Sequence, residues 1–439
     1  MTSILVRTPQ VTPLNVPTIH RLANGMTVIA EQMPVDAVTL NLWLNVGSIV
    51  ESDDINGMAH FLEHMIFKGT EQLASGEFEY RIEERGAVTN AATSHDYTHY
   101  YITTAPQDFA DLAPLQLDVL LNAAIPAEGF ERERQVVLEE IRRSDDNARR
   151  RTYQHMLDLG FSTLPYRRPV LGPTSVIEQL TSRQMLDFHR HWYQPQQMTA
   201  VAVGNLPVEE LIHTVERSCE QWTGGTHRST GSSIGQRSLP ERPTFAGEQP
   251  FQQIIRQEFV DPTLQQARLM VIWRVPGVVD LEETYALDVL SNILGHGRTA
   301  RLVQDLREQR GLVSGIGATN ITYQHQGLFC VTAQLPVEYV ETVEAAMIDH
   351  VQRLQTELIP AAELEKVCIQ VANQFVFGNE TPSDRTNLYG YYYAMTGSLD
   401  PVYTYADRVR SLTPQALQAA AQKYLTPNAY GVVVVKPSA

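Results

Sequence analysis

The chain has little sulfur to work with. Its three cysteines, Cys219, Cys330 and Cys368, lie far apart and show no CxxC spacing. A disulfide framework and a cysteine zinc site are both excluded, and free core thiols in a reducing compartment are the plainer expectation. No stretch approaches the roughly 20 apolar residues of a membrane helix, so no membrane span is expected. Met1 to Pro17 lacks a basic start followed by a long apolar run, so no secretory signal is expected either. A cytoplasmic location, or an organellar lumen or stroma, follows from these readings.

Positive charge is also scarce, with 34 Lys and Arg against 50 Asp and Glu and a net charge of −16. Nucleic acid and anionic membranes are therefore poor candidates as partners. Residues 1–223 carry 17 basic and 29 acidic side chains, and residues 224–439 carry 17 and 21, so the acidity sits mainly in the first half. It reads as a solvated surface or as an acidic chamber that draws in basic polypeptides.

At 439 residues the chain is too long for one core, and two domains of about 200 residues are expected. Residues 223–250 are rich in Gly, Ser, Thr and Pro and read as a linker. The expected division is an N-terminal domain 1–222, the linker 223–250 and a C-terminal domain 251–439. The halves resemble each other. Alternating strands at Leu40–Gly47 and Leu269–Val275 are each followed by a helical pattern, Met58–Phe67 and Thr284–Leu294. Strands ending at Pro106 and Pro336 come next, and each leads into a long helix. Ile125-Pro126-Ala127 and Ile359-Pro360-Ala361 then open another helix in each half. The pattern predicts an α+β fold of two tandem homologous domains, each a mostly antiparallel sheet with helices packed on one face.

The chemistry sits in one half. In His60-Phe61-Leu62-Glu63-His64, helical spacing puts His60, Glu63 and His64 on a shared face. Two imidazoles one turn apart can bind one zinc ion through nitrogen. Met58, Phe61, Leu62, Met65 and Ile66 make this helix apolar around most of its girth, so it should be buried. Unpartnered polar groups there would cost several kcal/mol, a conflict that a metal resolves. Ala127–Arg151 reads as one long helix with Glu133, Val136, Val137, Glu140, Ile141 and Ser144 along one face. Glu140 suits the third protein ligand of a site whose fourth position is left to water. Glu133, seven residues earlier, could hold a ligand histidine or the attacking water. Alternatively, both glutamates pair with Arg132, Arg134, Arg142 and Arg143 on a solvated face. The corresponding helix of the second half, Ala286–Leu294, has no histidine or glutamate, and Gln374 stands about where Glu140 would fall.

HxxEH is the inverted zinc motif. Gly57–Thr70 and Glu131–Ile141 resemble the signatures of the pitrilysin and mitochondrial processing peptidase family, as do Asn90–Ser94, Thr98–Tyr101, Val170–Pro173 and Val203–Asn205. The resemblance runs from about Val16 to Val435 and is similar in size to the short bacterial and organellar members. It implies His60, His64 and Glu140 as ligands of one zinc per chain, Glu63 as the base that activates water, and Glu133 as support. It also implies that Asn90 and Ala91 lie on an edge strand that binds substrate backbone, and that Tyr101 lies near the catalytic site. The implied substrate is a peptide or unfolded polypeptide, cut in a closed chamber of four domains that two chains provide, as a homodimer or a heterodimer with a related subunit.

One position departs from the pattern. Many active members carry an arginine and, seven residues later, a tyrosine in the second domain. Here Arg307 is present but Ser314 stands at the tyrosine position. The alternative reading is therefore a weakly active or non-catalytic partner subunit, although members that have turned structural typically lose zinc-site residues and this chain keeps the set.

Overall fold

The computed structural model describes residues 16–223 and 241–438. Of the expected linker, residues 224–240 lie outside the described residues.

The first half builds a six-stranded sheet from β1 (Thr18–Arg21), β2 (Thr27–Gln32), β3 (Val38–Leu44), β4 (Val88–Thr93), β5 (Thr98–Thr104) and β6 (Met198–Gly204). The second half builds a five-stranded sheet from β7 (Ile255–Val260), β8 (Ala267–Pro276), β9 (Gly315–Thr322), β10 (Gln326–Leu335) and β11 (Gly431–Lys436). The orders are β1-β2-β6-β3-β5-β4 and β7-β11-β8-β10-β9. Leaving out β1, the two orders correspond strand for strand. Each has one parallel pair, β2 with β6 and β7 with β11, and the other pairs are antiparallel. The repeat read from the strand and proline pattern is thus a repeat of topology.

The helices of the first half are α1 (Met58–Ile66), α2 (Glu77–Glu83), α3 (Phe109–Leu121), α4 (Ala127–Asp146), α5 (Ala148–Gly160), α6 (Thr174–Ile177), α7 (Ser182–Trp192) and α8 (Val208–Thr223). Those of the second are α9 (Leu281–Gly295), α10 (Val340–Thr356), α11 (Ala361–Phe377), α12 (Pro382–Thr396), α13 (Asp400–Arg410) and α14 (Pro414–Tyr424). One face of each sheet packs on helices of its own half. Leu40, Leu42 and Leu44 of β3 meet Phe61 and Leu62 of α1 and Leu117 of α3 in one core. Val271 and Trp273 of β8 meet Leu287 and Leu290 of α9 and Met347 of α10 in the other.

The opposite face of each sheet is covered by a helix from the other half. Tyr389 and Tyr392 of α12 pack on Trp43, Val201 and Val203 of the first sheet. Met156, Leu157 and Leu159 of α5 pack on Ile272, Cys330 and Val433 of the second. This exchange explains why β3 is buried at all seven positions rather than alternating. Each large side chain so buried contributes about 1.5–3 kcal/mol, so the exchange ties the halves together. Polar pairs reinforce it. Arg385 and Tyr389 of α12 hold the buried Glu31 of β2, and Tyr166 donates to Asp96 at 2.9 Å while Asp96 also accepts from the backbone of Gln324.

The long helix expected over 127–151 is two helices. Asn147 adopts an extended conformation, and its side chain accepts from the backbone N–H groups of Arg149 and Arg150, so it caps α5. The break redirects the chain so that α5 reaches the second sheet. Helix α9 begins earlier than the pattern implied and includes Glu282 and Glu283, which pair at the surface with Arg408 and Lys423.

Candidate metal centre

Helix α1 is short and almost wholly buried, with Met58, Ala59, His60, Phe61, Leu62, Met65 and Ile66 all inside. Core packing, not intrinsic propensity, holds a nine-residue helix of this kind. Helix α4 crosses it and buries Phe130, Arg134, Val137, Leu138 and Ile141. Phe61 stacks on Phe130 at 4.6 Å between ring centroids. Val136 was expected on the inner face but is exposed, because the buried stripe runs through Val137 and Ile141 instead. Glu133 and Glu140 flank that stripe two turns apart, and both reach α1.

Glu140 Oε2 lies 3.5 Å from His60 Nε2 and 3.4 Å from His64 Nε2. Among the described residues, His60, His64 and Glu140 form the one group of at least three His, Cys, Asp or Glu side chains with ligand atoms all within 4.8 Å of one another. Zinc bonds of about 2.0–2.1 Å in a tetrahedron place neighbouring ligand atoms about 3.3–3.4 Å apart, so the set fits zinc. Burial, reinforced by the nearby charge of His64, holds His60 in its neutral form, the form that binds a metal. His60 Nδ1 has no hydrogen-bond partner among the described residues.

His64 is held differently. Its Nδ1 lies 2.9 Å from Glu133 Oε1, and Lys68 Nζ lies 2.7 Å from Glu133 Oε2. Burial lowers the His64 pKa, but the hydrogen bonds to Glu133 and Glu140 outweigh it and lift the value to about 9 in the absence of a cation. Burial likewise works against the charge on Glu133, but His64 and Lys68 keep its carboxylate below the usual range. Glu140 is lowered as well, first by its hydrogen bond to His64. Among the described residues the alternative pairing of these two glutamates with arginines does not occur, and Arg132 pairs with Glu128 instead. Arg134 pairs with Glu131, and Arg142 and Arg143 with Glu139.

Glu63 shares the α1 face with the two histidines, and Thr93 of β4 donates to its Oε2 at 2.5 Å. Burial pushes the Glu63 carboxyl up, with the Thr93 hydrogen bond acting in the opposite sense. Strand β4 ends the sheet, so among the described residues no strand pairs with its outer edge, where Asn90 Oδ1 accepts from the exposed Ala91 N–H at 2.9 Å. Asn90 and Ala91 lie on it, opposite Tyr101 and Tyr100 of β5.

Tyr101 and Arg307, the two other implied residues, and Ser314 have partners of their own. Tyr100 is in the core against Phe67, so strand alternation turns Tyr101 to the other face of the sheet, where its ring neighbour is His99. Arg307 pairs with Glu308 at 2.7 Å. Ser314 Oγ donates to Gln266 Oε1 at 2.6 Å. In the second half, Gln374 of α11 meets His296 at the end of α9, with 3.0 Å between their nitrogens.

The family description Insulinase (Peptidase family M16) matches residues 27–174, and Peptidase M16 inactive domain matches residues 179–371. The chain belongs to peptidase family M16, the pitrilysin family. An uncharacterized zinc protease from Rickettsia bellii is 28% identical over 86% of this chain and 88% of its own. Another from Mycobacterium bovis is 28% identical over 95% of this chain and 92% of its own. The crystal structure of a protease from Helicobacter pylori superposes with a TM-score of 0.87 at 24% identity, covering 97% of this chain and all of that one, which shows a shared fold. Among the described residues no helix is long and apolar enough to cross a membrane.

Sequence reasoning missed three side chains around the site. Lys68 and Thr93 both stood inside segments already singled out, but only tertiary structure pairs them with Glu133 and Glu63. Glu51, a buried carboxylate beside the start of α1, gave no periodic signal at all.

Proposed function

We propose that this chain is a zinc-dependent endopeptidase that cleaves peptides or unfolded polypeptides in a chamber formed by two chains. The observation that carries this reading is the placement of Glu140 Oε2 at 3.5 Å from His60 Nε2 and 3.4 Å from His64 Nε2, with ligand atoms of all three residues within 4.8 Å of one another and Glu63 on the same helix face. His60, His64 and Glu140 would hold the ion, and Glu133 fixes the His64 ring from behind. Zinc, when bound, polarises the scissile carbonyl and makes a water more acidic. Glu63 takes the proton from the attacking water and delivers it to the leaving amine. Burial raises the Glu63 pKa, the direction that suits a carboxyl that must both take up and release a proton.

The outer edge of β4, through Asn90 and Ala91, binds an extended peptide as an added strand, which reads backbone more than sequence. Thr93 at the end of the same strand holds Glu63, so the bound backbone and the base share one rigid element. Arg307 and Tyr101 contribute from outside the metal group. The second half has Gln374 near the Glu140 position and supplies binding surface rather than a second site. One feature favours a second reading, a partner subunit of a mixed dimer: Ser314 is too short to replace a tyrosine hydroxyl. Metal analysis joined to a peptide-cleavage assay on the purified chain separates the two.

A further inference from the structure

We propose that Glu51 is a positioning residue for the metal-binding helix, which it holds at its N-terminus together with a back-to-back contact between Gly57 and Gly172. This rests on the zinc reading of His60 and His64 given above.

Glu51 is buried, at 4% exposure. A buried carboxylate is costly unless donors surround it, and here three do. Its Oε2 accepts from Asn56 Nδ2 and from the Gly57 N–H, both at 2.9 Å, and its Oε1 accepts from the Ala59 N–H at 2.7 Å. The first N–H groups of any helix lack intrahelical partners, and an N-cap side chain usually serves them. The N-cap of α1 is Gly57, which has no side chain to offer. Glu51 reaches in from six residues earlier and turns both carboxyl oxygens toward the positive end of the helix, whose N–H groups work against the burial that pushes its pKa up to about 7. Ala59, one of its partners, directly precedes His60.

The source of the cap matters more than the cap itself. The turn that leads to Glu51 is bonded to the end of β4, since Ser48 N–H donates to Ser94 O at 3.2 Å and Ile49 N–H to His95 O at 2.9 Å. The chain of contacts therefore runs from Thr93, the partner of Glu63, through Ser94 and His95 to Ser48 and Ile49, and through Glu51 into α1. It sets the helix in register with the edge strand. On the other side, Asn56 Nδ2 donates to Pro169 O at 3.0 Å, which seats the loop 169–173 against the same turn. Gly57 and Gly172 both have positive φ, 96° and 75°. A Cβ on Gly172 would lie 2.3 Å from Asn56 O and 2.8 Å from Gly57 Cα, so the two backbones touch where no side chain fits. Helix α1 is thereby fixed along its axis, and small misplacements of metal-site groups are expensive in function.

The test compares the full-length chain with Glu51→Gln, Glu51→Asp and Gly172→Ala. Glutamine keeps the size of the side chain but turns an NH₂ group toward a backbone N–H. Alanine at 172 keeps the Glu51 carboxyl and forces the turn at Asn56 to move. Zinc affinity is read by chelator competition, amide exchange of α1 is read in the metal-free protein, and kcat and KM are separated with a peptide substrate. Glu51→Gln and Gly172→Ala should each weaken zinc binding by roughly tenfold or more. Both should speed exchange at Gly57 and Ala59, and lower kcat with KM nearly unchanged. Glu51→Asp should fall between. Wild-type affinity, exchange and kcat in Glu51→Gln and Gly172→Ala would overturn the inference. If Glu51→Gln does not fold, Gly172→Ala decides by the same readouts. A wild-type chain that binds no zinc sinks the zinc reading, and α1 exchange in the metal-free variants then decides the positioning claim alone.

Discussion

His64 Nδ1 and Glu133 Oε1 lie 2.9 Å apart, and the second oxygen of Glu133 is held by Lys68 at 2.7 Å. Glu133 accepts from Nδ1–H and so leaves Nε2, which faces Glu140, as the nitrogen that gives up its proton when a metal binds. Groups in this relation typically change metal affinity 10–100-fold when removed. Glu133→Ala should fall in that range. Lys68→Met leaves Glu133 in place, so its effect should be smaller, on the order of a few-fold. Chelator competition measures both. Unchanged affinity in Glu133→Ala would mean that the ring needs no such support.

Glu63 and Glu140 are assigned different tasks, and amide substitutions separate them. Glu63→Gln should retain zinc and lose cleavage by a factor of at least about 10², since the amide cannot accept the proton. Glu140→Gln should lose zinc on dialysis. A Glu63 variant that loses metal while the Glu140 variant stays active would mean that the roles are reversed.

Asp288 on α9 gives a pH test away from the metal. Burial pushes its carboxyl up to about 6, against hydrogen bonds from Asn320 and Tyr405. Its unfolded value is about 3.9, so between pH ~4 and ~6 the folded chain binds the proton more tightly. The stability this contributes is present at low pH and is lost as the pH rises through that window. Relative to Asp288→Asn, the wild type should lose on the order of 2–3 kcal/mol between pH 4 and pH 7. Melting both proteins at pH 4.5, 5.5 and 7 checks the sign. A difference that grows in favour of the wild type with rising pH would contradict it.

Much of this site could be read from local spacing. His60, Glu63 and His64 are related by helical geometry alone, and Glu133 and Glu140, seven apart, reach the same partner from one side of α4. The strand-to-proline pattern likewise located the repeated topology. Long-range partners were another matter. Thr93 and Lys68 become meaningful only when β4 and α4 are laid against α1, and Glu51 sits in an irregular turn with no period to mark it. Asn147 ends α4 inside a strongly charged run, where a capping side chain is easily taken for another surface residue. The exchange of α5 and α12 was invisible for a related reason, because an apolar stripe does not say which sheet it will cover.

Assembly is open to a direct measurement. With a chain mass of 49.3 kDa, light scattering should report a particle of about twice that mass. Ser314 is exposed, so Ser314→Tyr should be tolerated by the fold. It should raise the peptidase rate if a related subunit normally supplies the missing hydroxyl. A fully active monomer would remove the dimer. A homodimer indifferent to Ser314→Tyr and as active as any mixed complex would remove the partner and leave the zinc chemistry untouched.

The most direct measurement is the zinc content of the purified chain, taken beside its rate of peptide cleavage, for the wild type and His64→Ala. The wild type should hold one zinc per chain, with cleavage abolished by a chelator and restored by zinc, and His64→Ala should have neither metal nor cleavage. A wild-type chain that holds no zinc, or a His64→Ala chain that keeps its metal and its activity, would contradict the zinc reading.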